Sequence, residues 1–174
     1  QELLEGRTLA RALRAEGTLN PEQVGKIATS LLRALAYLHE RGITHRNLST
    51  QHVFLSHDRR VLLIDLSRAF DPLEPDSEPM TVTSPPQGGE GVKTTRALAY
   101  RAPELSLGGV ADHRGDLYSL GVILYEALTG THPSQTGEDE SVQLTDRCQT
   151  APVRLLDTVT RLVARDPAGR PTTA

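Results

Sequence analysis

The chain has 174 residues, 37% hydrophobic and 24% charged, with 14 glycines and 11 prolines, the make-up of one globular domain with enough apolar residues for a core; disorder throughout is excluded. Lys plus Arg number 19 against 22 Asp plus Glu, a formal net charge of −3, so no net positive field exists to hold a nucleic acid or an anionic membrane surface. Apolar runs such as Val61 to Ile64 and Val122 to Leu124 fall far short of the ~20 residues that cross a bilayer, and membrane insertion is not expected.

A single cysteine, Cys148, excludes an internal disulfide framework and fits a reducing compartment, which points to the cytoplasm. The chain opens on Gln1 with no basic and apolar leader, and reads as a piece of a longer protein.

In chain order, Leu9, Ala12 and Leu13 share a helical face within Thr8 to Glu16, which Gly17 ends. Asn20, Pro21 and Gln23 supply an N-cap, a first-turn proline and a capping-box partner. Behind them Val24, Ile27, Ala28, Leu31, Ala34, Leu35 and Leu38 recur at spacings of three and four, predicting a long helix from Pro21 to Arg41 with Gly42 at its left-handed end. The period then shortens: Val53 to Leu55 and Val61 to Ile64, joined by the polar stretch Ser56 to Arg60, predict a hairpin.

Asp71 to Gly91 holds five prolines and three glycines with almost nothing large to bury, and predicts a mobile loop. Helical spacing returns from about Gly115 to Thr129 and again over Leu155 to Val163. Between those two segments Ser134 to Thr150 is polar and weakly patterned. His39, His57, His113 and His132 are scattered and read as surface side chains, without metal-ligand spacing.

Several short motifs punctuate these elements. His45, Arg46, Asn47, Leu48, Ser49, Thr50, Gln51 and His52 follow the long helix, and Asp65, Leu66 and Ser67 end the second strand. Tyr100 precedes Ala102, Pro103 and Glu104; Asp116 to Gly121 reads D-L-Y-S-L-G; Asp166, Pro167, Arg170 and Pro171 close the series. In this order they resemble the C-terminal lobe of a eukaryotic-like Ser/Thr protein kinase, whose motifs run H-R-D-L-K-P-x-N, D-F-G, A-P-E, D-x-W-S-L-G and D-P-x-x-R-P. The resemblance covers essentially the whole chain. It implies a mainly α fold with one small β-hairpin, a hinge at residues 1–6, a catalytic-type loop at 43–52 and an activation-type segment at 65–104. The glycine-rich loop, strand lysine and partner glutamate of the family's N-terminal lobe are not found in this chain. The D-H-R-G-D-L-Y-S-L-G run and the excess of Arg over Lys resemble bacterial multidomain kinases.

Phosphoryl transfer needs metal ions on the phosphates, a cation beside the transferred group and an acceptor for the substrate hydroxyl proton. By the resemblance Asn47 replaces the catalytic aspartate, and a carboxamide cannot take a proton at neutral pH. Ser49 replaces the loop lysine and removes a fixed positive charge. His52 replaces an asparagine that holds magnesium, a cation that prefers oxygen to imidazole. Asp65, which read alone is a turn or capping carboxylate at a strand end, becomes the one surviving magnesium ligand. ATP and magnesium are therefore doubtful cofactors of this segment.

The architectural positions are kept. The resemblance makes Asp116 a cap for the backbone at His45 and Arg46, pairs Glu104 with Arg170, and stacks His45 under Leu66. Arg46, with Arg68, Arg96 and Arg101, could receive a phosphorylated Thr94 or Thr95, or these could be ordinary solvated charges.

Scaffold kept and chemistry lost is the pattern of a pseudokinase: a catalytically impaired regulatory or scaffolding domain whose partners are another protein or adjoining domains of the same chain. The alternative is a Ser/Thr kinase of low or unusual activity that uses Asp65 with an N-lobe outside this segment. If an upper lobe is absent, Leu3, Leu4, Val53 and Leu55 are expected on an exposed apolar floor.

Overall fold

The computed structural model describes residues 5–70, 99–106, 112–133 and 140–174. Its elements are β1 (Gly6–Thr8), α1 (Leu9–Glu16), α2 (Pro21–His39), β2 (Val53–Ser56), β3 (Val61–Leu63), α3 (Pro103–Ser106), α4 (His113–Thr129), α5 (Glu140–Arg147), α6 (Val153–Leu162) and a 3₁₀ turn at Pro167–Gly169. The fold is mainly helical, as the sequence predicts, with one small antiparallel sheet.

Local chemistry sets the helix ends. Thr8 caps α1 by accepting the N–H of Arg11, and Gly17, at φ 78°, closes it. At the start of α2 the Asn20 side chain accepts the N–H of Gln23 at 2.9 Å, while the Gln23 side chain accepts the N–H of Asn20. This reciprocal box satisfies two otherwise orphaned donors. The helix stops at His39 rather than Arg41; the chain then turns through Gly42, at φ 74°.

Helix α4 is the centre of the molecule. Asp112 caps it by accepting the N–H of Arg114 at 2.8 Å, and the left-handed Gly130 ends it. Leu117, Leu120, Val122, Ile123, Leu124 and Tyr125 are all fully buried, so the middle of α4 is packed around most of its circumference and must be surrounded. The apolar stripe of α2 (Val24, Ile27, Leu31, Leu35) and that of α6 (Leu156, Val159, Leu162) belong to the same core.

The sheet departs from the predicted hairpin by one strand. Its order is β1-β2-β3, with Arg7 opposite Leu55 and Phe54 opposite Leu62. Three residues carry too little alternation to announce β1, and part of it falls where the resemblance implies a hinge. The expected exposed floor is also corrected: Val53 is fully buried and Leu55 packs partly against the core, because β2 is the central strand. Leu3 and Leu4 lie outside the described residues, as do 71–98, which contain the predicted loop, Thr94, Thr95 and Arg96.

Helix α5 arises in the stretch read as weakly patterned. One residue explains it: Leu144 is buried in the common core, with Cys148 after it.

Candidate functional site

The loop from Ile43 to His52 is pinned from both sides. Thr44 pairs with Phe70 through two backbone hydrogen bonds of 3.1 and 2.8 Å. From the core side, the Asp116 carboxylate on α4 accepts the N–H groups of His45 and Arg46, each at 2.8 Å. Arg46 sits at φ 62°, a left-handed conformation that a side chain adopts only under constraint. Its guanidinium lies over the Phe70 ring, 4.2 Å from the centroid, and its Nε donates to Thr44 Oγ1 at 3.2 Å.

The histidines of the loop occupy different environments. His45 is fully buried, and its Nδ1 accepts the N–H of Asn47 at 3.3 Å, which leaves Nε2 bearing the proton. Burial pushes the His45 imidazole below its ordinary value, opposed by the nearby charge of Asp116. His52 packs beside it, with ring centroids 6.2 Å apart. His52 Nδ1 meets the Asn47 backbone oxygen at 2.5 Å and Ser49 Oγ at 3.2 Å.

Asp65 follows β3 at φ 66°. Its Oδ1 accepts the N–H of Ser67 at 3.1 Å, and its Oδ2 lies 3.4 Å from His52 Nε2. Hydrogen bonds from Ser67 hold the Asp65 carboxyl below the usual carboxylate range, helped by the histidines facing it. The structure thus brings Asn47, Ser49, His52 and Asp65 into one cluster. Leu66, the residue after Asp65, is 50% exposed.

Magnesium is commonly held by one or two carboxylates, with water and phosphate oxygens completing its shell, so Asp65 suits it, while the imidazole of His52 offers nitrogen where the cation prefers oxygen. Among the described residues no group of three or more His, Cys, Asp or Glu side chains could hold a metal ion.

Away from the cluster, Glu104 and Arg170 form a bidentate pair, with Nη1 to Oε1 at 2.6 Å and Nη2 to Oε2 at 2.8 Å. The Arg170 side chain is fully buried and also donates to the carbonyls of Ala164, Arg114 and Arg165. This ties α3 to the C-terminal turn.

Two contributors escaped sequence reasoning. His39, read as a surface residue, is partly buried with its Nε2 3.0 Å from Asp116 Oδ2. The signal was present, since His39 continues the Leu31 and Leu35 face of α2 by one further step of four. Thr50 bonds the Tyr100 hydroxyl at 2.9 Å, and that hydroxyl also donates to Glu126. No local pattern marks such a contact across 50 positions.

Comparison with known proteins adds to this geometry. The family described as Protein kinase domain matches residues 1–173. The serine/threonine-protein kinase PknL of Mycobacterium tuberculosis is 37% identical over 139 residues, covering 79% of this chain and 31% of that protein. PknB of Mycobacterium leprae is 32% identical over 134 residues (76% of this chain, 20% of that protein). PrkC of Bacillus subtilis is 30% identical over 132 residues, 76% of this chain and 19% of that protein. The chain therefore spans about a fifth to a third of the length of these relatives.

Proposed function

The chain belongs to the protein kinase domain family, and from that premise we propose that it is a catalytically impaired member, a regulatory or scaffolding domain of a larger signalling protein. Members of this family use ATP and magnesium in general. The observation that carries the reading is the state of positions 47 and 49. Asn47 offers an amide where a proton acceptor is needed. Ser49 is a small buried hydroxyl engaged with His52 where a cation is needed. Loss of a general base alone removes ~10²–10⁴ in rate, and loss of a preorganised charge removes about 10²–10³ more.

The preserved architecture supports a binding role. The Asp116 clamp and the Glu104 and Arg170 pair hold the loop and α3 rigidly, and a rigid scaffold presents surfaces to a protein partner or to adjoining domains of its own chain. No described helix is long and apolar enough to cross a membrane, and a cytoplasmic setting is part of this proposal.

The test is radiolabel transfer from ATP to a generic protein substrate by the full-length protein. No transfer above an enzyme-free blank is expected. Transfer that disappears in the Asp65→Ala variant would establish the other reading, a Ser/Thr kinase of low activity that relies on Asp65.

A further inference from the structure

We infer that His52 sets this site against divalent cations: its imidazole competes with magnesium for the Asp65 carboxylate, the one magnesium-type ligand the cluster keeps. The inference rests on the reading of an impaired kinase-type domain and names one cause within it.

Both oxygens of Asp65 are engaged inside the chain. Oδ1 accepts the N–H of Ser67 at 3.1 Å, and Oδ2 faces His52 Nε2 at 3.4 Å. Magnesium takes a carboxylate through an oxygen lone pair and surrounds itself with further oxygens. Beside Asp65 Oδ2 it meets an imidazole, whose nitrogen it disfavours. His52 therefore acts twice. It supplies no oxygen where the family resemblance implies an asparagine, and it pairs with the carboxylate that remains.

The ring is held in that place from behind. His52 Nδ1 meets the Asn47 carbonyl at 2.5 Å and Ser49 Oγ at 3.2 Å, and the His45 ring packs beside it. The His52 side chain is 17% exposed, so swinging it off Asp65 breaks contacts that water does not readily replace. Turning the Asp65 carboxylate instead breaks its bond to Ser67. An imidazole–carboxylate pair at the solvent edge, with Asp65 42% exposed, is of modest strength. Its consequence is a shift in magnesium affinity and not an absolute block.

The experiment titrates magnesium chloride into the full-length protein at neutral pH, following the Asp65 carboxyl ¹³C resonance and the Ser67 amide. Removing the imidazole in His52→Ala is expected to lower the half-saturating concentration about two- to fivefold. His52→Asn, which adds an oxygen, is expected to lower it roughly tenfold or more. Either variant alone tests the competition if the other fails to fold. Adding Asp65→Asn, whose asparagine accepts the left-handed backbone, is expected to abolish the gain read at the Ser67 amide. Equal half-saturation in the native protein and the His52 variants would overturn the inference, and so would a gain that persists without the Asp65 carboxylate. The two claims fail separately: phosphotransfer by the native protein overturns the impaired reading, whereas the magnesium titration decides the role of His52.

Discussion

The Asp116 carboxylate accepts the backbone N–H of Arg46 at 2.8 Å across 70 positions of sequence. The same side chain takes the N–H of His45 and contacts His39 Nε2, so one carboxylate that is 2% exposed joins α2, the loop and α4. Asp116→Ala would strand two backbone donors and release the strained Arg46. A loss of about 3–5 kcal/mol is expected, or roughly 10 °C in melting temperature for a chain of this size. Denaturant unfolding measures it, and a loss below about 1 kcal/mol would show that water replaces the clamp.

Gly121 sits in the middle of α4, where alanine would improve helix propensity by ~1 kcal/mol. Contact overrides that gain. A Cβ there would lie 2.7 Å from Leu162 Cβ and 2.9 Å from both the Leu162 carbonyl carbon and Val163 Cγ1, and a carbonyl carbon cannot rotate aside. Gly121→Ala is expected to destabilise by about 1–3 kcal/mol. Unchanged or raised stability in thermal unfolding would mean that α4 and α6 separate easily.

His45 makes stability depend on pH. Its folded pKa lies below the ordinary value because burial disfavours the imidazolium, whereas in the unfolded chain it titrates near 6.5. Above that pH both states are neutral and the native state keeps its full advantage. As pH falls below it the unfolded chain takes up the proton first, and stability declines by up to about 1.4 kcal/mol per pH unit until the folded pKa is reached. The His45 ring resonance should still report neutral imidazole in the folded protein at a pH where a histidine peptide is largely protonated. Coincident titration of the two would contradict the burial argument.

Much of the fold was legible because it is encoded locally. The Asn20, Pro21 and Gln23 cap and the apolar steps from Val24 to Leu35 specify α2 within its own sequence. The two short apolar runs specify β2 and β3 in the same way. What escaped is short or rests on one contact: β1 exists through pairing with β2, and α5 through burial of Leu144.

The sequence by itself determined a kinase-type scaffold and named the residues of its loop, since motif order and side-chain chemistry are properties of the chain. It could not decide how those side chains face one another. Leu66 is apolar, yet beside the left-handed Asp65 it is left half exposed. His39 is polar, yet the approach of α4 leaves it partly buried against Asp116. The opposition of His52 Nε2 and Asp65 Oδ2 exists only once β3 lies against β2, because hydrogen-bond direction and the distance between donors are set by packing and not by spacing along the chain.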